Sequence, residues 1–382
     1  MTDNRYRRLP VGIQSFKVIR EENYLYVDKS DIVWNMVNLG DKYNYLSRPR
    51  RFGKSVLVDT LESYLEGRKD LFEGLKIMQL EKDWKHYPVI RLDMSRGGAN
   101  EETLRSYLNL RFKDYEEKYN ITPDPTAMLA DRFHAIIVTA YKQTGLRVAV
   151  LIDEYDSPLQ HSWRTPEHEK CTGVYREVFA ILKADDEYEH FVFITGITKF
   201  TQISLFSVLN NLSNISFTPE YAAICGITEE EIEENFMPEI IQMSEANNWS
   251  VQETHDRLKA YYDGYHFSDD NMVDIYNPYS LVNALKQRKI KNFWASSGAT
   301  SLLPKFVDNA ELRLSKFENC SIMRNTLELS DVSGGGAELF LYQSGYLTIK
   351  DSDEFGYILG FPNEEVKQAL YEYYGEDLTA GR

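Results

Sequence analysis

The chain has 382 residues, of which 43% are hydrophobic and 13% aromatic, and its formal net charge is −16. A chain of this length exceeds one ordinary domain core, and this aromatic content argues against long disordered tracts, so we expect two or three folded domains. The negative charge does not favour nucleic acid as a partner, although a local basic groove would be compatible with one.

The first predicted strand comprises residues 43–47 and leads into a tight loop, residues 48–53. From Lys54 onward, apolar residues recur at helical spacing as far as Leu65, so the segment predicts strand, loop and helix in succession. Alternating apolar and polar residues predict a further strand at 88–93.

Two later strands are predicted from continuous apolar sequence. Residues 148–152 are all apolar and end at Asp153 and Glu154. Residues 191–194 form a similar run that ends at Thr195. Such runs are typical of strands buried on both faces of a parallel sheet.

Capping residues predict several helix starts. Thr165 and Pro166 predict the N-cap and the first residue of a helix between the two apolar strands. After residue 226, three more helix starts follow one another: Thr228 with Glu231, Ser250 with Glu253, and Asn277 with Pro278. We therefore predict a helical lid domain at residues 226–310.

The C-terminal part of the chain predicts a small α+β module at residues 311–382. Its short apolar segments, such as residues 340–342 and 346–349, predict strands. The triplet at residues 334–336 is Gly-Gly-Gly and predicts a loop.

The loop after the first strand resembles a phosphate-binding loop, whose pattern is Gly, four residues, Gly-Lys-Ser/Thr. Gly53, Lys54 and Ser55 match its second half, whereas Arg48 occupies the position of the first glycine. Lys54 would bind the β and γ phosphates, and the Ser55 hydroxyl would ligate Mg²⁺. The residues predicted to contact the nucleotide are Arg50, Arg51, Phe52, Gly53, Lys54, Ser55 and Val56.

Taken alone, Gly-Lys-Ser also occurs in many surface loops. A second motif makes the prediction specific, because Asp153 and Glu154 follow an apolar strand as in a Walker B motif. Asp153 would hold Mg²⁺, and Glu154 would orient and deprotonate the attacking water. These residues predict an enzyme that hydrolyses ATP with Mg²⁺.

Further residues are weaker candidates. Thr195 stands where a polar side chain can contact the γ phosphate, although it also fits a threonine that simply ends a strand. Arg50, Arg51 and Arg176 are candidates for stabilising charge in the transition state, but each also fits a solvent-facing cation. The guanine-reading sequence Asn/Thr-Lys-x-Asp is missing, because Thr201 stands at its Asp position. This absence favours ATP over GTP.

These elements together predict an α/β fold: a three-layer P-loop NTPase core with a parallel sheet at residues 1–225. In such a core the Asp-Glu strand is not adjacent to the loop strand. We expect residues 191–195 to lie between 148–152 and 43–47 and to pair in parallel with both. We also expect Asp153 to lie within roughly 10 Å of Ser55, since both must reach one hydrated metal ion.

Nothing in the sequence predicts an export signal, a membrane span or a zinc site. The first ten residues are polar, and no stretch approaches the roughly 18 apolar residues of a membrane helix. The cysteines lie far apart at positions 171, 225 and 320, which is typical of reduced thiols. We expect a cytoplasmic protein.

Several segments together resemble the AAA-ATPase-like family that is common in gut bacteria. The similarity extends from residue 9 to about residue 360. The matching segments are residues 9–12 (LPVG), 26–29 (YVDK), 47–55 (SRPRRFGKS), 152–156 (IDEYD), 195–200 (TGITKF), 209–212 (LNNL) and 262–265 (YDGY).

The resemblance implies a P-loop ATPase core related to archaeal-type AAA ATPases. It also implies that Arg48 belongs to a variant of the phosphate loop that this family uses. Members often carry a C-terminal PD-(D/E)xK nuclease domain. Only residues 367–382 follow the last matching region, too few for such a domain, so we do not expect nuclease activity.

Three functional hypotheses follow. The first is an ATPase that acts as a conformational switch or motor and couples to a protein partner through the C-terminal module. The second is a nucleotide-sensing module with little turnover, against which Glu154 argues because a sensor has less need of a base. The third is the ATPase part of a DNA-processing system, which the net charge does not favour.

Overall fold

The structure, a computed structural model, describes residues 8–124, 126–200, 212–295, 303–307, 314–330 and 336–375. Its largest sheet has five parallel strands in the order β2-β3-β4-β1-β5. The strands are β1 (Tyr43–Ser47), β2 (Val89–Asp93), β3 (Val148–Asp153), β4 (Glu189–Gly196) and β5 (Ser213–Asn214). The expected strand order is confirmed, because β4 lies between β3 and β1 and pairs in parallel with both.

Two groups of helices cover this sheet and give the α/β P-loop fold. The first group is α1 (Phe16–Glu21), α2 (Ser30–Asn38) and α3 (Lys54–Leu65), with the short α4 (Ile77–Leu80) against α2. The second group is α5 (Glu101–Lys118), α6 (Leu129–Thr144), α7 (Ser157–Ser162) and α8 (Glu167–Ala184). All six residues of β3 are buried, as expected for a strand covered on both faces.

One helix start differs from the prediction. Helix α8 begins at Glu167, and its N-cap is Pro166 rather than Thr165. The Thr165 hydroxyl instead donates to the carbonyl of Ser162 at 2.6 Å. This bond closes the turn that follows α7, so the Thr165 side chain stabilises the end of α7 and does not cap α8.

A second region is mainly helical and contains α9 (Glu229–Asn235), α10 (Met237–Asn247), α11 (Val251–Tyr262) and α12 (Pro278–Gln287). Two short antiparallel strands, β6 (Ile227–Thr228) and β7 (Ile275–Tyr276), hold its ends together. This region has its own apolar cluster, which begins at Ile227 and includes Phe236 and Leu281.

Two of its three predicted helix starts are confirmed, and the third is confirmed in part. Thr228 and Glu231 form a complete capping box, and Asn277 caps α12. At α11 the Ser250 hydroxyl accepts from the backbone of Glu253, but the Glu253 carboxylate binds Arg257 at 2.9 Å.

The C-terminal region combines a three-stranded antiparallel sheet with short helices. The sheet order is β8-β10-β9. The strands are β8 (Cys320–Met323), β9 (Thr348–Ser352) and β10 (Gly356–Gly360), and the helices are α13 (Leu303–Phe306), α14 (Arg324–Leu329), α15 (Gly336–Ser344) and α16 (Glu364–Tyr374). Short 3₁₀ turns elsewhere are Lys69–Phe72, Met94–Arg96, Asp186–Tyr188, Ile215–Phe217, Pro219–Tyr221 and Leu314–Glu318.

The strand predicted at residues 340–342 is wrong, because these residues belong to helix α15. Every residue from Leu339 to Ser344 is buried, and a helix buried on all sides gives the same continuous apolar sequence as a buried strand. The strand predicted at 346–349 begins only at Thr348. Of the predicted glycine loop, Gly336 opens α15, and Gly334 and Gly335 lie outside the described residues.

The main apolar core extends from the parallel sheet into the C-terminal region, where it includes Leu341, Ile349 and Leu370. The predicted boundary at residue 311 therefore does not separate two independent hydrophobic cores. In the part of the chain that the structure describes, no helix has the length and hydrophobicity to cross a membrane.

Candidate functional site

A crevice of about 720 Å³ opens at the carboxyl ends of β1, β2 and β3. It is bounded by the N-terminal segment, by the loop before α3, by the ends of β2 and β3, and by the lid. All seven residues predicted to contact a nucleotide, 50–56, line it together with Asp153 and Glu154. This position, outside the carboxyl ends of the strands, is where open α/β sheets bind their ligands.

The loop conformation depends on Gly53, which has φ = 85° and precedes the first turn of α3. The left-handed region is costly for most other residues, so glycine is needed at this turn. The Lys54 ammonium is buried and donates to the carbonyls of Arg48 and Pro49, each at 3.0 Å. Burial lowers the pKa of Lys54, and the charges of Glu154 and Asp153 oppose this shift.

Ser55 and Asp153 meet at the base of the crevice. Burial raises the pKa of Asp153, and a hydrogen bond with the Ser55 side chain and the charge of Lys54 oppose the shift. Both residues line the same crevice, and the Ser55 side chain is close enough to affect the pKa of Asp153, which agrees with the expected limit of roughly 10 Å between them. Asp153 is 3% exposed, and its Oδ1 has no hydrogen-bond partner within the described residues.

These two side chains fit a magnesium ion. Mg²⁺ prefers oxygen ligands and is usually held by one or two carboxylates while it keeps several waters. A buried carboxylate oxygen without a partner is costly unless a cation or a donor satisfies it. Within the described residues, the Oδ1 of Asp153 is such a group, and Asp153 lines the crevice together with Ser55.

Glu154 has an uncommon backbone conformation, with φ = 48°. Left-handed residues other than glycine cost about 1 kcal/mol or more and are often found at functional sites. Backbone hydrogen bonds hold this turn, because Tyr155 N donates to the carbonyl of Thr195 and Ser157 N donates to the carbonyl of Glu154, each at 3.0 Å. Burial raises the pKa of Glu154, and the charge of Lys54 opposes the shift.

Asp156, two residues after Glu154, connects the end of β3 to the end of β4. Its Oδ2 accepts from the backbone of Ile197 at 3.0 Å, from the backbone of Thr198 at 2.6 Å and from the Thr198 hydroxyl at 2.7 Å. Gly196 is required here, because a Cβ on it would lie 2.4 Å from the Asp156 Oδ1. We did not predict this network from the residues, although both segments are among those that carry the family resemblance.

The structure does not bring Thr195 to the crevice. Its side chain is fully buried, and the hydroxyl donates to the carbonyl of Leu46 on β1 at 2.8 Å. Thr195 is not among the residues that line the crevice. The hydroxyl therefore joins two strands of the sheet, and a contact with the γ phosphate finds no support.

Arg48, at the position of the missing glycine, is a buried structural residue. Its guanidinium donates to the carbonyls of Ser216 and Tyr221, both at 2.9 Å, and lies 4.1 Å from the centre of the Phe267 ring. Burial lowers the pKa of Arg48. The arginine thus ties the start of the loop to the segment that leads into the lid, which a glycine could not do.

Two of the three candidate arginines lie at the crevice. Arg50 and Arg51 line it, and the Arg51 guanidinium lies 4.8 Å from the centre of the Tyr279 ring in the lid. Arg176 lies on α8, binds Glu169 at 3.0 Å and does not line the crevice. Within the described residues, a role in charge stabilisation is thus compatible with Arg50 and Arg51 but not with Arg176.

Comparisons with known proteins identify the family of the chain. The family model described as "Predicted AAA-ATPase" matches residues 10–206, more than half of the 382-residue chain. An uncharacterized protein in the vnfD 5′ region of Azotobacter chroococcum is 32% identical over 375 residues, which cover 96% of this chain and 69% of that protein. The chain belongs to the AAA-ATPase-like family.

Two solved structures are similar at a low level. The Aeropyrum pernix ORC1 protein in complex with DNA has a TM-score of 0.32 and 13% identity, over 97% of this chain and 95% of that one. Cdc6p from Pyrobaculum aerophilum has a TM-score of 0.24 and 12% identity, over 98% of this chain and 97% of that one. Scores below 0.5 support no conclusion about function.

In this AAA-ATPase-like protein, Phe52 anchors the loop before α3. Its side chain is fully buried, with ring centres 4.7 Å from Tyr265 and 5.4 Å from Phe267. Tyr265 belongs to the segment 262–265 that carries part of the family resemblance. This aromatic contact gives a physical reason why the segment 262–265 and the loop both belong to the family pattern.

The lid side of the crevice is bridged by Lys29 and Glu231. Their Nζ and Oε1 atoms are 2.5 Å apart, and the side chains are only 10% and 16% exposed. Burial lowers the pKa of Lys29, and Glu231 opposes the shift. We did not predict this pair, because the residues are 202 positions apart and only the capping role of Glu231 is visible locally.

The remaining wall at this end is apolar and was also not predicted. It combines residues of the N-terminal segment with residues of the lid. They are Val11, Ile13, Leu25, Val27, Ile224, Ile227, Phe236 and Val282.

Proposed function

We propose that the protein binds ATP with Mg²⁺ and hydrolyses it, and that hydrolysis is coupled to a conformational change and a protein partner. The observation that carries the proposal is the convergence of Lys54, Ser55, Asp153 and Glu154 on one crevice that is large enough for a ligand. The family of predicted AAA-ATPases supports the same assignment.

In this proposal the phosphates bind at the N-terminus of α3, where backbone amides and the helix dipole favour anions. Lys54 exchanges the carbonyls of Arg48 and Pro49 for phosphate oxygens. Ser55 and Asp153 hold Mg²⁺, which neutralises charge on the phosphates when it is bound. The adenine lies at the apolar end of the crevice, near Ile227.

Glu154 acts on the water that attacks the γ phosphate. Its raised pKa makes it a better proton acceptor than an ordinary carboxylate, and the charge of the neighbouring Lys54 opposes the shift. Arg50 and Arg51 stabilise negative charge on the transferring group, and Arg50 is close enough to lower the pKa of Glu154. Thr195 and Arg176 have no role in this mechanism.

The proposed coupling runs through the end of β4. Lys199 follows Thr198, the partner of Asp156, and its backbone N–H donates to Gln343 on α15 at 3.2 Å. Its ammonium donates to the carbonyl of Glu328 on α14 at 2.8 Å. The proposed units are a P-loop domain at 1–225, a lid at 226–310 and a C-terminal module at 311–382.

An exposed apolar surface supports a protein partner at the C-terminal module. Phe355 is 75% exposed and Met323 is 70% exposed, and their chain segments are adjacent because Met323 pairs with Gly356. Leu329, at the end of α14, is 60% exposed. Large exposed apolar side chains in one region are typical of interaction sites.

The test is ATP turnover of the wild type and Glu154→Gln, measured with and without DNA. We expect the substitution to lower turnover by about 100-fold or more while ATP affinity changes little, since a general base contributes this much. Glu102→Gln, an exposed carboxamide substitution on α5, is the matched control and should behave as wild type.

Other results point to the alternatives. Tight ATP binding with equally negligible turnover in the wild type and Glu154→Gln would identify a nucleotide-sensing module. Turnover that rises only when DNA is present would favour the ATPase part of a DNA-processing system. If the wild type does not bind ATP, the proposed function is wrong.

A further inference from the structure

Asp93 is the last residue of β2 and lies beside the proposed magnesium site. It pairs in parallel register with Asp153 at the end of β3. Paired residues on adjacent parallel strands point to the same face and lie about 4.8 Å apart. Both residues line the crevice, and the side chain of Asp93 is 42% exposed. Two carboxylates therefore face the same space.

Among the described residues, one oxygen of Asp93 is fixed by hydrogen bonds and the other has a distant cation. Oδ1 accepts from the backbone of Ser95 at 3.1 Å and from its hydroxyl at 2.6 Å. Oδ2 lies 4.0 Å from the Nε of Arg96, whose side chain is 72% exposed. A contact of this length in water contributes little. The Ser95 bonds thus orient a carboxylate whose charge remains available.

The internal arginine on the same strand is already paired with other carboxylates. Arg91, two residues earlier on β2, binds Asp59 at 2.7 Å and Glu62 at 2.5 Å. Burial raises the pKa of Asp153, and the charge of Asp93 contributes to that shift. Two neighbouring carboxylates repel each other unless a cation lies between them.

We propose that Asp93 is a second carboxylate of the magnesium site and holds the hydrated ion together with Ser55 and Asp153. The inference rests on the proposed function. Mg²⁺ keeps several of its waters, so Asp93 acts by accepting hydrogen bonds from them. Residues that hold a metal in this indirect way commonly change its affinity by about 10-fold or more.

The proposal predicts effects of opposite sign in one variant. In Asp93→Asn a negative charge near the triphosphate is lost, so ATP should bind a few-fold tighter when EDTA removes Mg²⁺. With Mg²⁺ present, ATP should bind about 10-fold more weakly, because the ion loses a carboxylate. A residue that only supported the local fold would not reverse its effect when the metal is added.

The experiment is calorimetric titration of the full chain with ATP, in EDTA and in MgCl₂. The proteins are the wild type, Asp93→Asn and Glu102→Gln, which removes one charge from an exposed residue that does not line the crevice. Asp93→Ser carries the same test if Asp93→Asn does not fold, since serine can still accept from the Ser95 backbone. Melting curves check that each variant is folded.

Three results would overturn the proposal. Equal weakening in both solutions would show that Asp93 only supports the turn at residues 93–96. Equal tightening would show that it only repels the nucleotide. Unchanged affinity in both would show that it does not act on the site. If the wild type binds no ATP in either solution, the proposed function itself is wrong. If the wild type binds ATP, the affinities of the variants test only the role of Asp93.

Discussion

The two ends of the crevice are assembled in different ways. At the proposed phosphate end, the residues to which the sequence motifs assign the chemistry lie in two short segments, 50–56 and 153–154. At the lid end, the wall combines residues near position 11 with residues near position 282. The phosphate end therefore depends on local backbone geometry, whereas the lid end exists only after distant segments have packed together.

The two ends of the crevice also differ in how far along the chain their buried lysines find a partner. Lys54 donates to carbonyls only five and six residues away, so its position is set within the loop itself. Lys29 is satisfied by Glu231, 202 positions later, and closes the crevice from the other side. We expect substitutions at the phosphate end to affect ligand binding, and substitutions at the lid end to affect stability first.

The largest effect is expected for Lys54→Ala. Its ammonium would contact the phosphates directly, and a charged hydrogen bond to a ligand contributes a few kcal/mol, so ATP affinity should fall by about 100-fold or more. The fold should persist, because the lysine bonds only carbonyls of its own loop. Calorimetric titration with Mg²⁺-ATP measures the affinity.

Lys113→Ala, an exposed lysine on α5, is the control for this experiment. Its ATP affinity should equal that of the wild type. If Lys54→Ala binds ATP within a few-fold of wild type, the phosphate end has been assigned to the wrong loop.

A smaller effect is expected for Lys29→Met. The substitution leaves Glu231 mostly buried without its cation, which should lower the free energy of unfolding by about 2–4 kcal/mol. Glu231 keeps the hydrogen bond from the Thr228 backbone at 2.9 Å, which limits the loss. Urea unfolding measures stability, and ATP affinity should change much less than in Lys54→Ala.

The double variant Lys29→Met with Glu231→Gln sharpens the comparison. Removing both charges should recover part of the stability lost in Lys29→Met, because no buried charge remains unpaired. If the losses simply add, the ion pair does not couple the N-terminal segment to the lid.

The smallest effect is a change in pH dependence in Asp263→Asn. The side chain of Asp263 is 2% exposed, and its nearest cation is Lys259 at 3.6 Å. Burial raises the pKa of Asp263 to about 7, and the charges of Asp274 and Glu229 add to the shift. Neither carboxylate oxygen has a hydrogen-bond partner in the part of the chain that the structure describes.

The sign follows from proton binding. Between about pH 4, the ordinary pKa of an aspartic acid, and about pH 7, the folded state binds more protons at Asp263 than the unfolded state. Stability should therefore fall as pH rises through this window, by at most about 1.4 kcal/mol per pH unit for one group. Asp263→Asn should make the slope shallower, and Glu102→Gln should not.

Urea unfolding at a series of pH values between 5 and 7 measures this slope. Part of it should remain in Asp263→Asn, because burial also raises the pKa of Glu365 to about 7. An unchanged slope would mean that the Asp263 carboxylate is ionised in the folded protein throughout this range.

Several parts of the fold and the site could be predicted because their signals are local. The helix after Lys54, the capping box at Thr228 and the buried strand before Asp153 are each encoded within a few residues. Hydrogen bonds of a cap and the spacing of apolar residues depend little on the rest of the chain. The continuous apolar run in α15 shows the limit, since a fully buried helix and a fully buried strand have the same local pattern.

The sequence by itself thus determined the loop, the Asp-Glu strand end and the strand order that brings them together. Only the tertiary structure decided which polar side chains remain available for a ligand. The Arg48 guanidinium donates hydrogen bonds to carbonyls 168 and 173 positions away, and the Thr195 hydroxyl donates to a carbonyl 149 positions away. The physical reason is that a buried polar group must find a partner, and the identity of that partner depends on which distant segments pack against it.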